Sequence, residues 1–264
     1  MITKVAIIGC GKMGSFLAKE LAKENGTNIA VYDNDSKRAE LVAKETNTNA
    51  LHTIEEISSF APDLLINAVS LQNTIKAFEE VVRYLPKSCV IGDVASVKRG
   101  LEEFYNKSGF KFCSVHPMFG PTFATMDSLK EENAVLIKES DPETKEFFRN
   151  LFTRLGVKIF EYTFAEHDQM MAYSLTTPFA SSLVFASCMD KTAVPGTTFK
   201  RHKTIAKGLL SEDDHLLAEI LFNSYSLAQL EKITNRLEFL KHVIKAKDYE
   251  EAKRFFDKLR KNIG

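Results

Sequence analysis

The sequence predicts an α/β protein in which a doubly wound parallel sheet comes first and an all-α domain follows. Two patterns predict this order. In the first part of the chain, short apolar runs typical of strands buried on both faces alternate with amphipathic helical stretches. From residue 165 onward, apolar residues recur only at helical spacing. We therefore place one domain at residues 1–164 and a second at residues 165–264.

The individual elements follow from the same patterns. Strands are predicted at Val5–Ile8, Ile29–Tyr32, Leu64–Ala68, Cys89–Gly92, Phe112–Val115, Ala134–Ile137 and Val157–Phe160. Helices are predicted at Ser15–Lys23, Lys37–Lys44, Thr74–Tyr84, Met170–Met189, Leu216–Phe222, Leu227–Ile244 and Tyr249–Leu259. Thr53 and Glu56 have the spacing of a capping box, which predicts a short helix starting there. Ser211–Asp214 predicts another helix start, after a breaker at Val194–Gly196.

The composition argues against several classes of protein. The 264 residues include 35 basic and 35 acidic side chains, so no net charge draws the chain to nucleic acid or to an anionic membrane. No apolar run approaches the roughly 18 residues that a membrane span needs, and the N-terminus lacks a secretion signal. The cysteines are far apart in apolar segments, where reduced buried thiols are expected: Cys10, Cys89, Cys113 and Cys188. We expect a cytoplasmic protein that binds neither nucleic acid nor membrane.

A glycine-rich segment directly after the first strand is typical of a Rossmann-type dinucleotide site. In this pattern Gly9 permits a tight turn, Gly11 lets the backbone approach a pyrophosphate, and Gly14 allows close packing of helix on strand. Lys12 and Met13 open the helix, whose N-terminal N–H groups and positive dipole end favour an anion. The alternative is that the three glycines only form a turn. We predict that residues 1–164 bind a dinucleotide.

Asp33 indicates which dinucleotide is bound. It closes the second strand, where a carboxylate can accept hydrogen bonds from both ribose hydroxyls of NAD and would repel the 2′-phosphate of NADP. Lys37 and Arg38, just downstream, leave NADP possible. The alternative role for Asp33 is to cap the helix beginning at Ser36. We predict NAD as the cofactor.

His116 is the best candidate for a general base. It follows a predicted strand in a loop stiffened by Pro117 and Pro121, at the sheet edge where open α/β sheets bind ligands, and an unperturbed imidazole titrates near neutral pH. Ser96 could orient this imidazole. The alternatives are a structural loop histidine and a serine that caps a helix running from Lys98. The remaining histidines lack comparable surroundings: His52, His167, His202, His215 and His242.

Four segments together resemble the prephenate dehydrogenase family of tyrosine biosynthesis. They are the glycine segment at 9–14, Asp-Val-Ala-Ser-Val-Lys at 93–98, His-Pro-Met-Phe-Gly-Pro at 116–121, and Glu-His-Asp-Gln at 166–169. The resemblance implies that His116 is the catalytic base and Ser96 its hydrogen-bonding partner. It also implies oxidative decarboxylation of prephenate to 4-hydroxyphenylpyruvate, with hydride transfer to NAD. A metal is not expected, because the histidines and acidic residues show no ligand spacing.

The resemblance also suggests where the dianionic substrate binds. Many relatives place an arginine in the stretch that corresponds to residues 196–202, where this chain has Lys200 and Arg201. The alternative is that both lie on a solvated basic helix face. Thr176 and Phe179 stand where many relatives carry pocket histidines, so recognition of the substrate side chain must differ. Arogenate, the aminated analogue of prephenate, therefore remains open as the substrate.

Other expectations and other functions also follow from the sequence. Because the first strand begins near Lys4 and the helical pattern runs almost to Gly264, we expect a monofunctional enzyme. The apolar helical faces exceed what one layer of helices buries, which favours a homodimer through the helical domain. One alternative function is a small NAD(P)-dependent reductase of the pyrroline-5-carboxylate or 3-hydroxyacid type. The other is a non-catalytic NAD-responsive binding protein, in which His116 would have no task.

Overall fold

The chain divides into two compact units. The structure, a computed structural model, describes residues 2–24, 26–120, 129–190, 192 and 194–264. The first unit ends at Asp168 and the second comprises Gln169–Gly264. The division falls within the helix Phe164–Met171, slightly later than the predicted boundary.

The first unit is built on an eight-stranded sheet. Its strands are β1 (Lys4–Ile8), β2 (Asn28–Tyr32), β3 (Asn49–Leu51), β4 (Leu64–Asn67), β5 (Val90–Asp93), β6 (Lys111–Pro117), β7 (Asn133–Ile137) and β8 (Lys158–Tyr162). Their order is β3-β2-β1-β4-β5-β6-β7-β8. The first six strands have the order of dinucleotide-binding sheets, in which the direction of winding reverses between β1 and β4. This confirms the doubly wound α/β architecture.

One strand departs from the predicted parallel arrangement. β7 pairs with β6 in antiparallel fashion, with His116 opposite Val135, and β8 then runs parallel to β7. All other neighbouring strands are parallel. Strand direction depends on how the connecting segment returns to the sheet, and apolar runs alone do not encode it. No bounds were predicted for β3, because its three residues carry too little apolar pattern.

The strands are buried on both faces, as their sequences predict. Val5 and Ile7 of β1 belong to one apolar cluster, whereas Ala6 and Ile8 belong to the cluster on the other side. Successive side chains of a strand point to opposite faces, so each cluster takes alternate residues. The sheet is therefore covered by helices on both sides.

The helices of the first unit match the predicted ones in part. They are Lys12–Leu21, Ser36–Thr46, Glu56–Phe60, Thr74–Val81, Leu101–Ser108 and Pro142–Arg154. Leu101–Ser108 begins three residues after the helix start considered at Lys98, and Pro142–Arg154 had no predicted counterpart. The predicted short helix is present, but it begins at Glu56 and not at Thr53, and the Glu56 carboxylate accepts a hydrogen bond from the backbone N–H of His52. A local spacing rule misplaced this start by one turn.

Every element in the described part of the second unit is helical. The helices are Thr177–Ser187, Thr197–Leu209, Asp214–Leu221, Ser226–Ala246 and Tyr249–Ile263, and a π-helical segment, Ala172–Thr176, precedes them. Asp213 caps the helix predicted to start at 211–214, which confirms that start. Cys188 is exposed, against the expectation of a buried thiol, whereas Cys10, Cys89 and Cys113 are buried. None of the described helices is long and apolar enough to cross a membrane.

Candidate active site

The glycine-rich loop is held at the point where the winding of the sheet reverses. Gly9 follows β1 with a φ of +93°, and a Cβ there would lie 2.7 Å from the backbone nitrogen of Val69, just after β4. A Cβ on Gly14 would lie 1.9 Å from the carbonyl oxygen of Gly9. Glycine is required at both positions because backbone occupies the space of a side chain. This loop therefore lies in the crevice where such sheets bind ligands.

The same loop fits an anionic group. The helix Lys12–Leu21 begins with Gly11 as its N-cap, a residue with no side chain to bond the N–H groups of the first turn. A Cβ on Gly11 would meet nothing within 4 Å, so the backbone is open on that side. Lys12 is exposed, while Met13 packs partly against the core. Backbone donors at a helix N-terminus with open space before them suit a pyrophosphate.

Asp33 lies beside the glycine loop at the end of β2. One carboxylate oxygen accepts a hydrogen bond from the backbone N–H of Cys10 at 2.7 Å, and the other accepts from the N–H of Asp35 at 2.9 Å. The helix after β2 is capped by Asp35, so the alternative role of Asp33 as its cap is wrong. A carboxylate has about four acceptor positions, which leaves capacity for ribose hydroxyls. Burial and the nearby Asp33 raise the pKa of Cys10 to about 12, so its thiol stays protonated.

His116 lies in β6 rather than in the loop that the sequence predicted. The register aligns Ile8 with Asn67, Asn67 with Asp93, and Asp93 with Ser114. His116 is therefore two residues beyond that line, at the same carboxyl edge that carries the glycine loop. Three strand spacings separate β1 from β6, about 14 Å. The predicted proline-flanked loop extends through Pro121, which is outside the described residues.

The imidazole of His116 is buried and bonded to a second histidine. Only 6% of the residue is exposed, and His116 Nδ1 lies 3.1 Å from His167 Nε2. Burial lowers the pKa of His116 well below its ordinary value of 6.5, and the neighbouring His167 and Lys98 act in the same direction. The ring is thus neutral at pH 7, as a base must be before it takes a proton.

His167, which the sequence offered no reason to select, contacts His116 in the structure. Its side chain is fully buried, and its Nδ1 lies 3.1 Å from Asp168 Oδ1. Burial lowers the pKa of His167, and the hydrogen bond to Asp168 opposes that effect. Three side chains therefore form a row from Asp168 through His167 to His116. The signal was present in the Glu-His-Asp-Gln segment, but its contact with His116 spans 51 positions of sequence.

A buried ionic cluster underlies the edge of the sheet next to His116. The Lys98 ammonium donates to Asp93 Oδ1 at 2.6 Å and to the carbonyl oxygen of Val115 at 2.7 Å. The Tyr105 hydroxyl donates to Asp93 Oδ2 at 2.6 Å. The side chains of Lys98 and Asp93 are fully buried. Burial lowers the pKa of Lys98, and the contact with Asp93 raises it. The cluster fixes the residue before His116 to the end of β5.

Ser96 lies in the turn after β5 and is half-buried. Within the described part of the chain, the hydrogen bond of His116 goes to His167 and not to Ser96. The next helix begins at Leu101 with Gly100 as its N-cap, so the alternative role of Ser96 as a helix cap is wrong. A catalytic role for Ser96 stays a prediction.

The predicted substrate residues belong to the second unit. Lys200 and Arg201 are exposed on the helix Thr197–Leu209. Thr176 is buried at the end of the π-helical segment, where its hydroxyl lies 2.7 Å from the hydroxyl of Ser226. π-Helical turns are frequent at functional sites. Among the described residues, no group of three His, Cys, Asp or Glu side chains is arranged to hold a metal ion.

Comparison with known proteins places these features in a family. Residues 17–161 match the family model described as prephenate dehydrogenase, nucleotide-binding domain. The chain is also similar to the probable arogenate/prephenate dehydrogenase of Methanocaldococcus jannaschii, with 24% identity over 100% of this chain and 61% of that protein. It spans between 38% and 63% of the length of three curated relatives that it matches.

Solved structures share the fold. The prephenate dehydrogenase of Aquifex aeolicus, in complex with hydroxyphenyl propionate and NAD+, superposes with a TM-score of 0.85 at 18% identity over 99% of this chain and 97% of that one. The arogenate dehydrogenase of Synechocystis gives a TM-score of 0.81 at 20% identity, covering 98% of each chain.

Two glycines of the loop provide a matched test of the dinucleotide site. Gly14→Ala should lower the melting temperature and abolish binding of NAD, because its Cβ would collide with the Gly9 carbonyl. Gly11→Ala should leave the melting temperature close to that of the wild type, because its Cβ meets open space, and should weaken NAD binding only by obstructing the ligand. Thermal unfolding and fluorescence titration measure the two effects. Equal melting temperatures for both variants would contradict this account.

The buried cluster makes a second prediction. Lys98→Met should lower the free energy of unfolding by about 3–5 kcal/mol, because it leaves the Asp93 carboxylate buried without its cation. Lys107→Met is the control, because Lys107 pairs with Glu103 on an exposed helix face and its loss should leave the urea midpoint nearly unchanged. Urea unfolding followed by circular dichroism measures both. A Lys98→Met midpoint as high as that of the control would show that the ion pair does not stabilise the fold.

Proposed function

Because this chain belongs to the prephenate dehydrogenase family, we propose that it catalyses the NAD-dependent oxidative decarboxylation of prephenate to 4-hydroxyphenylpyruvate in tyrosine biosynthesis. One observation carries the proposal: His116, a buried and neutral imidazole, lies at the carboxyl edge of the sheet that also carries the glycine loop. A neutral imidazole at that edge can accept a proton from a substrate bound beside the cofactor. A binding protein without catalysis would have no need of it.

The residues of the first unit fit NAD. The backbone of Gly9, Gly11 and Gly14, with the first turn at Lys12 and Met13, would hold the pyrophosphate. Asp33 would accept hydrogen bonds from the ribose hydroxyls, which favours NAD over NADP. NAD supplies the hydride acceptor when bound. The Aquifex aeolicus relative in this fold contains NAD+, which supports the assignment.

His116 handles one proton in the proposed reaction. Its imidazole accepts the proton of the ring hydroxyl while hydride leaves the same ring carbon. The ring carboxylate then departs as carbon dioxide, and its bonding electrons make the ring aromatic. His116 returns the proton to the ring oxygen, which becomes the phenol. No net proton is gained or lost by the protein, so a buried imidazole with restricted access to water is sufficient.

Positioning of the substrate is assigned to residues that stay predictions. Lys200 and Arg201 would supply a cation for a substrate carboxylate, and a bidentate guanidinium and an ammonium would hold it differently. Thr176 would line the substrate pocket, and Ser96 is the alternative to His167 as the hydrogen-bonding partner of the imidazole. Arogenate is the second candidate substrate. Two observations support arogenate as a candidate. Thr176 and Phe179 stand where many relatives have pocket histidines, and one relative is named for both activities.

We extend the proposal to a homodimer formed through the second unit. That unit exposes many large apolar side chains, including Phe222, Leu227, Ile244 and Tyr249, which are between 64% and 89% exposed. Exposed apolar surface of this extent is typical of a protein interface. Sedimentation equilibrium at micromolar protein concentration tests the state.

A turnover assay tests the proposed reaction. Purified protein with NAD should produce NADH on addition of prephenate or arogenate, and the ratio of the two kcat/KM values identifies the preferred substrate. His116→Asn should lower kcat by about 100-fold or more and leave NAD affinity nearly unchanged, because a positioned base contributes about 10² to 10⁴. The acid limb of the wild-type kcat/KM profile should lie below pH 6.5, since the His116 pKa is lowered.

Either of two results would remove the proposal. One is the absence of turnover with both substrates under conditions where NAD binds. The other is a His116→Asn variant as fast as the wild type, which would place the base elsewhere.

Cofactor preference is tested at Asp33. Asp33→Ala should weaken NAD binding and reduce the ratio of NAD affinity to NADP affinity. The variant lacks the carboxylate that bonds the ribose and repels the 2′-phosphate. Asp35→Ala is the matched control, since Asp35 caps the neighbouring helix and lies two residues further along the chain. Dissociation constants for both cofactors measure the effect. An unchanged NAD/NADP ratio in Asp33→Ala would mean that this carboxylate does not touch the ribose.

A further inference from the structure

We propose that His167 and Asp168 are positioning residues that hold His116 as its Nδ1–H tautomer, with the unprotonated Nε2 left to take the substrate proton. The inference rests on the proposed function, in which His116 is the base. It adds two residues to which the sequence analysis gave no role. It also identifies which of the two ring nitrogens of His116 does the chemistry.

The geometry is a row of three side chains joined by two contacts. Asp168 Oδ1 lies 3.1 Å from His167 Nδ1, and His167 Nε2 lies 3.1 Å from His116 Nδ1. The two imidazole rings are inclined at 67°, an edge-on arrangement that brings a nitrogen of each ring to the other. Both distances are those of hydrogen bonds between heavy atoms. Among the residues that the structure describes, His116 Nδ1 is thereby engaged and Nε2 is the nitrogen available to the substrate.

The protons of the row can be counted. Burial keeps both imidazoles neutral at pH 7, so each ring has one N–H and one unprotonated nitrogen. An ionised carboxylate only accepts, so the ring nitrogen facing Asp168 must carry the proton. His167 is therefore protonated on Nδ1, and its Nε2 can only accept. His116 must then donate from Nδ1, which leaves Nε2 without a proton.

The opposite arrangement of protons is disfavoured. If His167 donated from Nε2, its unprotonated Nδ1 would face an oxygen of Asp168 at 3.1 Å with no proton between them. Two acceptors at that distance repel each other, and His167 is fully buried, so water cannot intervene freely. The tautomer of one histidine is set by the hydrogen bond of its other nitrogen, and here that rule passes through two rings in succession.

The row also assists the step in which His116 becomes charged. When Nε2 takes the substrate proton, His116 donates a stronger hydrogen bond to His167, because the donor is now cationic. His167 in turn donates to Asp168, whose negative charge opposes the new positive one. The Lys98 ammonium acts on both rings and disfavours their protonation, whereas the Asp93 carboxylate favours protonation of His167. Asp168 thus offsets part of the cost of charging a buried imidazole.

Replacing Asp168 by its isosteric amide tests the proposal. Asp168→Asn can donate to His167 Nδ1, which permits the reversed arrangement and places a proton on Nε2 of His116. We expect kcat to fall by about 100-fold with a small change in KM, because the population of the competent tautomer falls in both free and bound enzyme. Glu166→Gln is the matched control: the neighbouring carboxylate bonds Lys138 and the backbone of Thr163, and its loss should leave kcat near the wild-type value.

Nitrogen-15 NMR of the histidine rings gives a readout that a merely structural role would not change. Protonated and unprotonated ring nitrogens differ widely in chemical shift, and the His116 signals are identified by their loss in His116→Asn. At pH 7 and without substrate, wild-type His116 should show a protonated Nδ1 and an unprotonated Nε2. Asp168→Asn should shift the pair toward the opposite pattern, and Glu166→Gln should not.

The outcomes separate this inference from the proposed function. A wild-type Nε2 that carries a proton overturns the inference, and so does an Asp168→Asn variant that loses activity with an unchanged tautomer or keeps both activity and tautomer. If Asp168→Asn fails to fold, the wild-type spectrum alone decides. If the protein shows the expected tautomer and yet turns over neither prephenate nor arogenate, that result contradicts the proposed function and not the hydrogen-bonded row.

Discussion

The buried contact between Lys98 and Asp93 is the interaction on which the arrangement of the site depends. It removes two opposite charges from water, which is costly unless every polar position finds a partner. Here Asp93 accepts from Lys98, from Tyr105 and from the backbone of Ala95, while Lys98 also donates to the carbonyl of Val115. The last bond crosses from the turn after β5 to the residue before His116. The strand that carries His116, the proposed base, is thereby fixed to its neighbour β5.

This arrangement also sets the electrostatic environment of the base. A positive charge near His116 disfavours the imidazolium, and burial disfavours it further, so the resting ring is neutral. The same two effects would make proton uptake during the reaction expensive. A base that is neutral at rest and can still be protonated during the reaction therefore needs a group that stabilises mainly the imidazolium form of His116. The row through His167 to Asp168 meets that requirement, because its hydrogen bonds strengthen when the donor becomes cationic.

The sequence predicted those features that depend on neighbouring residues. The glycine spacing, the acid that closes β2 and the alternation of strands and helices are all local, and the structure confirms the doubly wound sheet. The cap of the helix after β2 is Asp35 and not the alternative Asp33. The two lie only two residues apart, and spacing rules do not distinguish them. The antiparallel direction of β7 depends on the path of the chain between β6 and β7, and strand patterning does not encode it.

The features that the sequence did not predict join distant positions. His116 and His167 are 51 residues apart, and the Lys98 bond to Val115 spans 17. Lone histidines are usually structural, so the sequence alone offered no reason to assign a role to His167. Its contact with another imidazole appears only in the fold. His116 lies at a strand end and not in the expected loop, because its backbone pairs with that of Val135 in the antiparallel ladder. The position of His116 is therefore set by its place in the ladder between β6 and β7.

The gradient of exposure along the row explains why a carboxylate can stand at its far end. The Asp168 side chain is 28% exposed, whereas His167 is fully buried and His116 nearly so. A charge that keeps part of its hydration costs far less than one sealed in the interior. The negative charge of Asp168 thus remains partly solvated by water. Hydrogen bonds connect it through the neutral ring of His167 to His116. A carboxylate directly against His116 would raise the pKa of the resting base, and the intervening ring weakens that effect.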